Sequence, residues 1–84
     1  SRFAGTVGRR VGEDLYEVDV RNKIRGSDRI EVVSPHLPAR DIGKFRLLNE
    51  NGVDISETDH GKFCLLETGV SLNPRDILRI QLPW

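Results

Sequence analysis

Between Leu15 and Pro35 the chain reads LYEVDVRNKIRGSDRIEVVSP, and apolar residues recur there at every second position. Tyr16, Val18 and Val20 share one face, while Glu17, Asp19 and Arg21 share the other. Ile30 and Val32 alternate in the same way with Arg29 and Glu31. A period of two belongs to a half-buried strand, because successive strand side chains point to opposite sides. Gly26-Ser27-Asp28 lies between the two runs and supplies turn chemistry. Glycine tolerates positive φ, and aspartate can bond its own backbone. The stretch is expected to be a β-hairpin to which the rest of the chain adds strands.

The remaining segments read as short strands divided by turns. Arg2 to Gly8 is a first strand with Phe3, Gly5 and Val7 on one face, and Gly5 marks a bend or a close backbone approach. Arg9 to Asp14 is a polar turn. Pro35 and Pro38 halt the ladder because proline donates no backbone hydrogen bond. His36 between them reads as a turn residue. Asp41 to Leu48 resumes as one strand, Asn49 to Gly52 is a tight turn, and Val53 to Ile55 is a short strand. Ser56 to Gly61 is a polar loop. Lys62 to Glu67 is apolar on both faces, as a strand covered on both sides would be. After a loop from Gly69 to Pro74, Ile77 to Leu82 alternates again. No segment shows a long helical period. The expected fold is all-β: six or seven short antiparallel strands in a small barrel rather than a sandwich, since closure removes exposed edges that so short a chain cannot otherwise protect.

Length and charge narrow the function classes. Eighty-four residues make one domain, 1–84, with a limited core. Thirteen basic and 13 acidic residues cancel, which argues against a dedicated nucleic-acid binder. No apolar run approaches the ~20 residues of a membrane helix, so no membrane partner is expected. One cysteine rules out an internal disulfide, and the cytoplasm is the expected compartment. The chain contains no Met, so it is expected to be a segment of something longer.

The order and spacing of several short pieces resemble the C-terminal domain of peptidase family U32, the collagenase-like proteins. These are Phe3-Ala4-Gly5-Thr6-Val7, then Glu17-Val18-Asp19-Val20-Arg21-Asn22, Gly26-Ser27-Asp28 and Ile30-Glu31-Val32-Val33-Ser34-Pro35. Glu50-Asn51-Gly52 and Pro74-Arg75-Asp76-Ile77-Leu78-Arg79 follow in the family's order. Ser27 departs from the pattern as an insertion between Gly and Asp, and Asp59-His60-Gly61 lacks the family's Pro. The resemblance implies a six-stranded antiparallel barrel similar to the second domain of translation elongation factors. It also implies a parent chain, bacterial in most members, whose larger N-terminal catalytic domain carries the cysteine cluster. Family members are labelled proteases, and others are implicated in hydroxylation of transfer or ribosomal RNA with an iron–sulfur cluster. That chemistry falls outside these residues, so no catalytic residue, metal or cofactor is expected here. The partners implied are the parent's N-terminal catalytic domain and an RNA or protein substrate.

Few residues invite a site. Cys64 lies in an apolar run, and a nucleophilic cysteine needs a lowered pKa and a nearby base. His60 is close in sequence but separated by Gly61, so a buried small hydrophobe is the stronger reading. Asp54, Glu57, Asp59 and His60 share a loop, but their spacing matches no metal motif, and a solvated loop is favoured. Gly5, Gly8 and Gly12 make no phosphate loop, because no Lys-Ser/Thr pair or helix pattern follows. Arg21, Lys23 and Arg25, with Arg9 and Arg10 folding beside them, form the one basic concentration. They are the expected binding patch, although Glu17, Asp19 and Glu31 could balance them as an ordinary solvated face. Most of the five aromatics fall in core phase, which leaves no platform for base stacking. Trp84 is placed either back on the barrel or against a neighbouring domain. An accessory recognition module is the reading these residues favour, ahead of an RNA-binding barrel and of a self-contained hydrolase.

Overall fold

The computed structural model describes residues 1–59 and 61–82, so the expectations placed on His60 and Trp84 lie outside the described residues. Eight antiparallel strands form one sheet: β1 (Arg2–Arg10), β2 (Leu15–Val20), β3 (Arg29–Val33), β4 (Arg40–Asp41), β5 (Phe45–Leu48), β6 (Asp54–Ile55), β7 (Phe63–Thr68) and β8 (Ile77–Gln81). Their order is β4-β3-β8-β1-β2-β7-β5-β6. No described residue is helical, and no helix is long and apolar enough to cross a membrane.

Alternation explains the curl. Val18, Val20, Ile30, Val32, Leu47, Cys64, Leu66, Leu78 and Ile80 are all buried and cluster together. With no helix to cover it, a sheet can hide one face only by folding around that face. The result is a curled half-barrel with the core inside. Six of the strands have four or more residues, and β4 and β6 are two-residue additions. No ladder joins β4 to β6 among the described residues. The segment leaving β6 instead meets the connection before β3, through the isolated Arg25–Glu57 bridge and adjoining backbone hydrogen bonds.

The hairpin expected from Leu15 to Pro35 does not form. β2 pairs with β1 (Val7 opposite Val18) and with β7 (Val18 opposite Cys64), so both of its edges are taken. β3 lies between β8 and β4. Gly26-Ser27-Asp28 does turn, with Asp28 N–H donating to Arg25 O at 3.0 Å. That turn sits inside a longer connection, residues 21–28, whose Ile24 is buried. Burying Ile24 carries the chain across to residues 56–58, away from β2.

Three further expectations change. The register of β1 against β8 shifts between Phe3 and Gly5. This bulge turns Ala4 inward and Phe3 outward, inverting the phase of the first residues. Asp41 to Leu48 is not one strand: Gly43 adopts φ +69° and donates to Asp41 Oδ1 at 2.7 Å, breaking the run into β4 and β5. β7 is covered on one side only, with Cys64, Leu66 and Thr68 inside and Phe63 outside. Of the described aromatics, only Tyr16 is fully buried; its hydroxyl accepts from Leu72 N–H at 3.2 Å.

Other local readings agree with the structure. Asn49 Oδ1 accepts from Asn51 and Val53 N–H, and Gly52 has φ +79° and donates to Asn49 O. His36 occupies the left-handed region in the Ser34–Leu37 turn. Gly5 lies against β2, where a Cβ would fall 2.2 Å from Asp19 O.

Candidate interaction surface

The connection 21–28 is held at its middle. Ile24 N–H donates to Thr58 Oγ1 at 2.9 Å, and Thr58 N–H donates back to Ile24 O at 2.9 Å. Gly26 N–H reaches Ser56 O, also at 2.9 Å. Asp28 Oδ2 accepts from Arg25 N–H at 2.8 Å. With Ile24 turned inward, its neighbours Lys23 and Arg25 lie outside. Replacing Thr58 by valine keeps the shape but leaves the buried Ile24 N–H without its acceptor. A loss of roughly 2 kcal/mol is expected, read as a lower urea midpoint at unchanged slope.

The five expected cations do not gather. Arg10 lies opposite Tyr16 and Gly5 opposite Val20, so Arg9 and Arg10 occupy the far end of the β1–β2 ladder from Arg21. At a rise of about 3.3 Å per residue the separation is roughly 17 Å. Arg9 pairs with Glu17 at 3.2 Å; the hydrogen bond, and then the charge itself, hold the guanidinium above its ordinary range. Arg10 Nε is occupied by Gly12 O and Glu13 O at 3.1 and 2.9 Å. Arg21 pairs with Asp19 at 3.4 Å and Lys23 with Glu57 at 2.9 Å. The Lys23 hydrogen bond and charge hold the Glu57 carboxyl below its usual range. Arg25 makes no side-chain ion pair among the described residues.

Beside this connection opens a cleft of about 480 Å³ whose lining includes Gly26, Asp28, Lys44, Arg46, Glu67 and Gly69. It arises because β6 pairs only with Leu47 and Leu48 before the chain leaves at Ser56 to meet Gly26. Phe45 and Arg46 therefore have a ladder partner on the β7 side alone. Arg46 is fixed by Asp54 at 2.8 Å and Glu67 at 3.0 Å, and its hydrogen bond holds the Asp54 carboxyl low. The cleft thus combines exposed backbone with charges of both signs. Sequence reasoning missed it, since its walls come from four separate segments, one of them Asp14 alone. The only trace is a glycine in three of them: Gly26, Gly43 and Gly69.

The other candidates fall to ordinary roles. Cys64 is buried, and burial pushes its thiol up to about 12, leaving no reactive thiolate near neutral pH. Iodoacetamide at pH 8 is expected to leave the folded chain unmodified and to label it in urea. Stability should also fall between pH 9 and 12, where the unfolded thiol ionises and the folded one does not. Labelling of the folded chain at the rate of a free thiol would contradict the burial. Asp54, Glu57 and Asp59 each face a cation: Arg46, Lys23 and Lys62 respectively. No group of three metal-ligating side chains gathers among the described residues.

A single curled antiparallel sheet with an anchored, partly basic connection beside an open cleft defines a small all-β module. The model of the peptidase family U32 C-terminal domain matches residues 1–79, and the chain belongs to that family. No curated protein matches. Among solved structures, the chain is similar to the C-terminal domain of a U32 peptidase assignment from Geobacillus thermoleovorans, with TM-score 0.78 and 21% identity over 96% of this chain and 93% of that one. The selenomethionine variant of that domain matches with TM-score 0.76 and 22% identity, covering 94% of this chain and 99% of the other. At such identity these two likenesses speak to the fold alone.

Proposed function

We propose that this chain is a non-catalytic accessory domain of a larger peptidase-family protein, contributing substrate or partner recognition through the connection 21–28. Family membership supports the place in a larger, collagenase-like parent with an N-terminal catalytic domain. The observation that carries the recognition role is the combination on one connection of a clamped backbone and an outward Arg25. Thr58 and Ser56 hold the backbone, so little conformational freedom is lost when a partner binds. Ion pairing of Arg21 and Lys23, with the zero net charge, favours a protein partner over RNA.

Reversing the charges of Arg21, Lys23 and Arg25 to Glu tests this. Binding of the parent protein to gelatin is expected to weaken about tenfold, a loss of roughly 1.4 kcal/mol in affinity. Each of these surface changes should cost the fold no more than about 0.5 kcal/mol. Bulk transfer RNA, titrated at about 50 and 200 mM salt, is the comparison arm. Salt-sensitive RNA binding lost in the variant would move the assignment to RNA. Equal gelatin binding by variant and wild type would remove the connection as the site.

A further inference from the structure

The cleft beside β5 contains an open strand edge. Thr68 N–H donates to Asp14 O at 2.9 Å and Val20 N–H to Lys62 O at 3.2 Å, so the even-numbered residues of β7 turn their backbone groups toward β2. Opposed residues of an antiparallel pair alternate between bonded and unbonded. Glu67, opposite Arg46, therefore bonds to β5, and Thr68, opposite Phe45, does not. On the other side of β5, Asn49 N–H donates to Val53 O at 2.9 Å. The same alternation turns Leu47, and then Phe45, toward the β6 side. In that register Glu57 would face Phe45, but Glu57 bridges to Arg25 instead. Phe45 N–H and C=O thus both face the cleft, without a partner among the described residues.

The walls leave room for a second backbone. A Cβ at Gly43 or Gly69 would meet nothing within 4 Å, and one at Gly26 only Ser56 O at 3.7 Å. A donor and an acceptor on one extended residue, facing a gap with small walls, are what an added strand pairs with. Charge selects what that strand carries. Arg46 is already matched by Asp54 and Glu67. Of the other charges on the walls, Asp14 and Asp28 have no ion pair among the described residues and outnumber the single Lys44.

We propose that this edge binds an extended, basic peptide segment by strand addition at Phe45. Phe45 N–H donates to a peptide carbonyl and Phe45 O accepts from a peptide N–H, while Asp14 and Asp28 attract the segment's basic side chains. The site goes beyond the recognition role of the connection, since none of Arg21, Lys23 and Arg25 lines the cleft.

The test follows amide exchange with water by NMR in the 84-residue chain. The probe is a blocked heptapeptide of alternating threonine and lysine. In the free chain Phe45 N–H, open to solvent, is expected to exchange far faster than Arg46 N–H, which is bonded to β7. Once about nine-tenths of the chain is occupied, Phe45 exchange should slow about tenfold, because only the free fraction exchanges. The same peptide methylated on its backbone nitrogens should leave Phe45 fast. A threonine–glutamate peptide should bind at least about tenfold more weakly. Gly69→Trp, which fills the cleft from an exposed bend, should abolish the slowing. The methylated peptide keeps the test independent of how that variant folds. Absence of binding would overturn the proposal, as would binding that leaves Phe45 fast or slowing that Gly69→Trp leaves intact. Equal binding by the methylated or the glutamate peptide would overturn it too. Slowing of Phe45 when the chain alone is concentrated would put a second copy on the edge and have the same effect. The basic connection is tested by gelatin binding of a charge-reversed parent, whereas Phe45 is read in the unsubstituted chain, so the two readings fail separately.

Discussion

Gly5→Ala is expected to destabilise the fold by about 3 kcal/mol, at the upper end of ordinary overpacking. The added Cβ would lie 2.2 Å from Asp19 O, with Asp19 C and Val20 Cα also within 3.3 Å. These are backbone atoms, so no rotamer change relieves the clash. β1 would have to part from β2, yet β2 is tied on its other side to β7 and β1 to β8. The strain therefore spreads through the four central strands. Urea unfolding should show the loss as a lower midpoint at unchanged slope. Gly8→Ala is the control in the same strand, because its Cβ would meet Glu17 Cβ at an ordinary 3.4 Å. Equal midpoints for the two variants would mean that the close approach is not what position 5 requires.

Ile24→Ala is expected to cost roughly 2–4 kcal/mol, as large-to-small changes in a core do. Ile24 is buried although it belongs to no strand. Its side chain is the apolar anchor of the 21–28 connection, and its backbone exchanges both hydrogen bonds with Thr58. Truncation weakens the junction between the 21–28 connection and residues 56–58 as well as the core. Amide exchange should accelerate first at residues 22–28 and 56–58, ahead of β1 and β2. Uniform acceleration across the sheet would place Ile24 in the global core rather than at a local latch. The recognition proposed for Arg25 should fall with it, since the same anchor orders that side chain's backbone.

These two positions differ in how far the sequence announced them. Gly5 stood out because a glycine inside an alternating run signals a close approach, and the structure has that approach. Ile24 did not, because an isolated apolar residue between Lys23 and Arg25 has no periodic neighbours. The binding patch shows the same divide. Arg21, Lys23 and Arg25 are near one another because the chain is continuous there. Arg9 and Arg10 were grouped with them on the supposition of folding, and the β1–β2 register puts them at the opposite end. The cleft by Gly26, Lys44 and Gly69 has no sequence signal beyond three glycines, because it is a gap left where one strand stops pairing.

Alternation determined the all-β class and the inward faces of β2, β3 and β8, and Asn-Gly turn chemistry determined the Asn49–Gly52 turn. Each of these depends on forces acting within a few residues: side-chain parity, backbone φ preference and local hydrogen bonding. Tertiary structure alone decided which strands are neighbours, why β2 and β3 never meet, and which side of β1 carries Phe3. Parity says that a residue faces in or out of a sheet but not which strand lies beside it, and one bulged residue reverses it. Strand order and register are set by the burial of one continuous inner face, a condition on the whole chain at once.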